Sequence, residues 1–180
     1  MANQSVLFLT NAELGQSSVI LAVAHEYLIR SYNVHIASFP QLEDGVSQLN
    51  TQASAVSTKS SKATFHAFPG RSMVVACRSN HPTIDWFDVH KIGFFGAPNA
   101  YDKLFHLLAV WTGDEYMAVY QKCIEIIKQV KPSIVVVEPL LAQAIDACRM
   151  LRCKSAILSP NTAKDHVVQP MLGSLWKYPV

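Results

Sequence analysis

The chain is short of charge. Only 16% of its 180 residues are Asp, Glu, Lys or Arg, against about 25% in ordinary soluble domains. The 15 basic and 13 acidic residues leave a formal charge of +2. No run of Lys and Arg occurs and no aromatic residues interleave with basic ones, which argues against nucleic-acid binding. Long apolar runs are also missing. The stretch Val19 to Ala24 is broken by His25 and Glu26, far short of the roughly 20 residues that span a bilayer. No basic segment or cleavage site precedes it, so neither a transmembrane segment nor a signal peptide is expected, and the expected location is cytoplasmic. Cys77, Cys123, Cys148 and Cys153 form no CxxC pair and read as reduced thiols. The histidines show no metal-ligand spacing, so no metal site is expected. Glycine is scarce, at 7 residues, and Gly15 stands alone in the first loop. Neither GxGxxG, GxxxxGK[ST] nor GxSxG is present, so no cofactor is expected to bind this chain by itself, and the missing GxSxG argues against an α/β-hydrolase.

What is there is apolar. Half the residues are hydrophobic, which excludes intrinsic disorder, and 180 residues suit one domain. Such sparse charge also leads us to expect a partner covering part of the surface.

Val6-Leu7-Phe8-Leu9 is a continuous apolar run, as in a strand buried on both faces of a parallel sheet. A polar loop follows, and Ser17 or Ser18 is placed to cap a helix running to about Ser31. Val34 to Ser38 is a second strand, closing a β-α-β unit. The pattern returns later. Apolar residues from Tyr116 to Val130 keep a helical period until Pro132 stops them, and Ile134-Val135-Val136-Val137 reads as a central strand. Glu138-Pro139 is expected to open the next helix, and Ser155 to Leu158 to form another strand. Strands at about 5–10, 34–38, 133–138 and 154–158 should be parallel and central or near-central. Thr64 to Ala67 makes a short strand. Residues 47–62, rich in Ser, Thr and Gln, read as a mobile surface loop. Leu104, Leu107, Leu108 and Trp111 form an expected apolar face. The fold class is α/β, a Rossmann-like doubly wound parallel sheet over residues 1–180.

In such sheets ligands bind beyond the carboxyl ends of the strands. That rule gathers Asn11, Glu13, Gly15, Gln16, Phe39, Glu138, Ser159, Asn161 and Thr162, which are mostly polar residues at the ends of apolar strands. Glu138 stands open to two roles. It is a general base whose pKa partial burial would raise, or a carboxylate favoured by the dipole of the following helix.

Several segments, in order, resemble one family. Val6-Leu7-Phe8-Leu9-Thr10-Asn11-x-Glu13-x-Gly15-Gln16 comes first, then Val34-His35-x-Ala37-Ser38-Phe39-Pro40. Gly113-Asp114-Glu115-Tyr116, Ile134 to Leu140 and Leu158-Ser159-Pro160-Asn161-Thr162 follow. Together they resemble fungal UDP-sugar-dependent glycosyltransferases, grouped with the UDP-glucosyl/glucuronosyl transferases. The resemblance implies the N-terminal, acceptor-binding half of a GT-B fold. Asn11, Glu13, Gly15, Gln16, Phe39, Ser159, Asn161 and Thr162 would then bind a hydroxylated lipophilic small molecule. The UDP-sugar donor of a complete enzyme would be bound elsewhere, because the donor-binding signature has no counterpart here. The isolated chain is accordingly expected to be inactive, its donor domain absent through truncation or supplied by a separate polypeptide. The family's base histidine corresponds to Gln16, which cannot take a proton near neutral pH, and its partner aspartate to Glu138. A non-catalytic binding or regulatory module is the alternative.

Overall fold

A computed structural model describes residues 4–82 and 110–160. Five parallel strands form one sheet: β1 (Ser5–Leu9), β2 (Asn33–Ser38), β3 (Thr64–Ala67), β4 (Ile134–Val137) and β5 (Ser155–Ile157). Their order is β3-β2-β1-β4-β5. The chain thus starts in the middle, builds outward to one edge, then crosses back beside β1 and builds toward the other. The reversal between β1 and β4 is the topological switch point of a Rossmann-like sheet, where a crevice opens beyond the strand ends.

The apolar runs are continuous because both faces of the sheet are covered. Val6 and Phe8 of β1, Val34 and Ile36 of β2 and Val136 of β4 pack with α1 (Leu14–Ile29) and α2 (Glu43–Val56). Leu7, Leu9, Ala37, Val135 and Val137 face α4 (Gly113–Val130) and α5 (Ala142–Leu151). This alternation is the two-residue period of a strand, applied to central strands covered on both faces. A shorter helix, α3 (Met73–Asn80), forms a third cluster with Val110, against which Trp111 and Leu140 pack.

Local sequence sets the ends of α4. Thr112 and Glu115 make a reciprocal capping box at its start, which satisfies two otherwise orphaned N–H groups. Lys131 closes it in the left-handed region at φ 48°, and Pro132 follows.

The strands lie where the sequence places them, but four expectations need correction. Residues 47–62 are not one mobile loop, since 47–56 belong to α2. Val46, Leu49 and Ala53 are buried along one side of that helix and Glu43 and Asp44 begin its first turn, where acidic side chains favour the helix dipole. Asn50 fastens α2 to β3. Its Nδ2 donates to the Ala63 carbonyl at 3.2 Å, and its Oδ1 accepts the Ala63 N–H at 2.7 Å. Helix α1 begins at Leu14 behind Glu13, so Ser17 is a buried interior residue and not its cap. Glu138-Pro139 does not open α5, which starts at Ala142. β5 is the outer strand of the described sheet, and its three residues are exposed. Leu104, Leu107 and Leu108 lie outside the described residues.

Candidate active site at the sheet switch point

Asn11 follows β1 and Glu138 follows β4, so the two leave adjacent parallel strands on the same side. Both are fully buried. The Asn11 Nδ2 donates to Glu138 Oε2 at 2.8 Å, and the Leu140 N–H donates to Oε1 at 2.7 Å. Burial pushes the Glu138 carboxyl up from its ordinary range. The hydrogen bonds from Leu140 and Asn11 oppose that rise, and the nearby Glu13 adds to it. Because Nδ2 faces an acceptor, the Asn11 Oδ1 is fixed pointing elsewhere, and it has no donor among the described residues.

Glu13, the residue before α1, reaches across to α3. Its Oε1 accepts the Val74 N–H at 2.8 Å, while Oε2 is shielded from water and has no donor among the described residues. Gln16, half-buried in the first turn of α1, likewise leaves Oε1 without a partner. The oxygens of Glu138 are met by Asn11 and Leu140 and not by Gln16. Gly15 is exposed, and a side chain there would meet nothing within 4 Å. Phe39 is a core residue, fully buried, with its ring stacked on Trp111 at 6.2 Å and edge-on to Phe68 at 5.6 Å. Ser159 is partly buried just past β5. Asn161 and Thr162 lie outside the described residues.

Two features escaped sequence reasoning. A cavity of about 260 Å³ is lined by Pro69, Gly70, Arg71, Trp111, Asp114, Glu115, Ala118 and Val119. It lies between the segment after β3 and the start of α4. Arg71 forms an ion pair with Glu115 and also donates to Asn80 at 3.1 Å, and the Trp111 indole donates to the Arg71 carbonyl at 3.1 Å. Burial works to raise the Glu115 carboxyl, but hydrogen bonds from Thr112, Arg71 and Asn80 overcome it and hold the group below its ordinary range. The only signal for this cavity was Thr112-x-x-Glu115, which announces a helix start and not a ligand. The second feature is a histidine pair. His35 Nδ1 and His66 Nε2 on β2 and β3 lie 3.0 Å apart, and burial lowers both pKa values, with the His35 and Lys122 charges adding to it at His66. No group of three or more metal-ligating side chains exists among the described residues, and no described helix is long and apolar enough to cross a membrane.

No family profile matches the chain. It is 29% identical over 185 positions to glycosyltransferase sdnJ of Sordaria araneosa, in an alignment that covers 97% of this chain and 36% of that protein. Among solved structures, the calicheamicin glycosyltransferase CalG4 superposes with a TM-score of 0.58 at 14% identity, over 98% of this chain and 35% of that one. The Streptomyces sp. SF2575 glycosyltransferase SsfS6, complexed with thymidine diphosphate, gives 0.57 at 12% identity, over 98% and 46%. The fold is therefore that of the Rossmann-like N-terminal half of GT-B glycosyltransferases. In sequence the chain is similar to a glycosyltransferase, and it spans 36% of the length of that curated relative.

Proposed function

We propose that this chain is the acceptor-binding half of a nucleotide-sugar-dependent glycosyltransferase. It would present the hydroxyl of a lipophilic small molecule to a hexose carried on a UDP-sugar, with the donor held by another domain or a separate polypeptide. The observation that carries this reading is the carboxylate-centred group of Asn11, Glu13 and Glu138 at the switch point. A sheet interior that is otherwise apolar spends its few buried polar side chains at the ligand-binding end. A cavity with Trp111 in its wall, at the same end of the sheet, offers room for an apolar ring. Single-domain catalysis is not part of the proposal, because the chain has no glycine-rich phosphate cradle.

Calorimetry on the purified chain tests it. A hydroxylated steroid such as estradiol should bind more tightly than UDP-glucose, whose affinity should be millimolar at best. Micromolar UDP-glucose binding, or no binding of lipophilic hydroxylated compounds, would overturn the assignment.

A further inference from the structure

Gln16 stands where the resembling family has its base, and an amide cannot take that role. The two carboxylates at the switch point are not equivalent candidates to replace it. Both oxygens of Glu138 are committed, one to Asn11 and one to the Leu140 N–H. Glu13 is held differently. One oxygen is fastened to the backbone of α3 by the Val74 N–H, which sets the direction of the carboxylate, and the other has no donor among the described residues. A carboxylate anchored at one oxygen and uncommitted at the other suits a general base, which must reach the proton it removes. Glu13 also lies on the loop leaving β1, at the crevice itself. The same stretch leaves two more acceptors without donors among the described residues, Asn11 Oδ1 and Gln16 Oε1. Buried acceptors without donors are costly, and a hydroxyl supplies the missing partner.

Resting on the acceptor-binding reading, we propose that Glu13, and not Glu138, takes the acceptor's proton. The acceptor O–H bond breaks and its proton passes to Glu13 Oε2. The oxygen then bonds to the anomeric carbon of the UDP-hexose, and the bond from that carbon to the diphosphate oxygen breaks, so UDP leaves with the electron pair. Glu138 and Asn11 act as positioning residues that brace the end of β1 against β4.

The test uses the chain together with its donor-binding half, whether that is a further domain or a separate polypeptide, with UDP-glucose as donor and estradiol as the acceptor probe. Glu13→Gln is nearly isosteric and keeps the bond to Val74. It should lower kcat by roughly 10²–10⁴-fold, the usual worth of general-base assistance, with KM for acceptor little changed. Glu138→Gln should lose less than about tenfold, and Arg30→Ala, at a surface pair, should serve as the unaltered control. Thermal melting of each variant separates loss of chemistry from loss of fold. Val74→Pro supplies a second line, since it removes the anchoring N–H at the second residue of α3, and melting of this variant shows whether the helix start survives. It should lower kcat while Glu13 remains present. Retention of more than a tenth of kcat by a folded Glu13→Gln enzyme would overturn the assignment of Glu13 and leave the acceptor reading intact. So would an equal or larger loss in folded Glu138→Gln. Wild-type enzyme that neither binds the probe nor transfers to it would overturn both.

Discussion

Two walls stand at the carboxyl end of this sheet, and they are built on opposite principles. Beyond β2 and β3, Phe39, Phe68 and Trp111 pack ring on ring, and Arg71, Asn80, Thr112 and Glu115 saturate one another with hydrogen bonds. Beyond β1 and β4, Asn11, Glu13 and Gln16 each keep an oxygen without a donor among the described residues, and Glu138 carries a carboxyl that its surroundings disfavour as an ion. The first wall has the economy of a structural element, in which Arg71, Asn80, Thr112 and Glu115 are matched, although the buried Ser38 hydroxyl at the end of β2 has no partner among the described residues. The second departs from that economy where the topology puts a ligand, and such local departures mark functional sites.

The sharpest way to test this contrast is to damage the aromatic wall. Phe39→Ala should cost about 3–5 kcal/mol of stability, as for other fully buried phenylalanines, measured by urea unfolding. A loss under about 1 kcal/mol would mean the wall is not packed as described. Asn11→Leu comes next. Removing the donor to a buried carboxylate should cost roughly 2 kcal/mol at pH 8. The loss should shrink at pH 4, because a group with a raised pKa in the folded state is protonated there and no longer needs that donor. By the same sign, Glu138 itself should make the wild type less stable as pH rises through its folded pKa, and Glu138→Gln should flatten that slope. Thr112→Ala removes the cap of α4 and should cost about 1 kcal/mol. Glu115 titrates in the opposite sense, since its pKa is held low. Its contribution is present above the ordinary carboxylate range and lost as pH falls through its folded pKa, so Thr112→Ala should blunt acid denaturation. The smallest effect belongs to Arg30→Ala, which breaks an exposed pair with Glu26 and should change stability by less than about 0.5 kcal/mol.

The strands were legible because a doubly covered sheet writes itself as unbroken apolar runs, and Val6 to Leu9 and Ile134 to Val137 are such runs. Helix α2 was obscured by its own composition. Ser, Thr and Gln dominate residues 47–57, yet Val46, Leu49 and Ala53 suffice to bury one side of a helix resting on α1. The start of α5 was misplaced because proline in a first turn and proline in the turn before it look alike in sequence. The strand-end rule brought Asn11 and Glu138 to one place, although 127 positions separate them. It could not reveal that they bond to each other, nor that Glu13 is anchored by α3, because those pairings depend on how separate crossovers settle against the sheet. Phe39 was drawn toward the crevice by its position after β2, whereas its ring turns back into the core.

The clasp between Asn50 and Ala63 bears on how the protein ages. One side-chain amide there imitates a strand neighbour, giving a donor to one backbone group and an acceptor to the other. Hydrolysis of that amide to a carboxylate would keep the acceptor and replace the donor by a second oxygen facing the Ala63 carbonyl. A change of a single atom type would thus convert attraction to repulsion at the point where α2 meets the first residues of the β3 edge. Slow deamidation at one asparagine, undetectable as a change in size, would begin to loosen the sheet from its outer side.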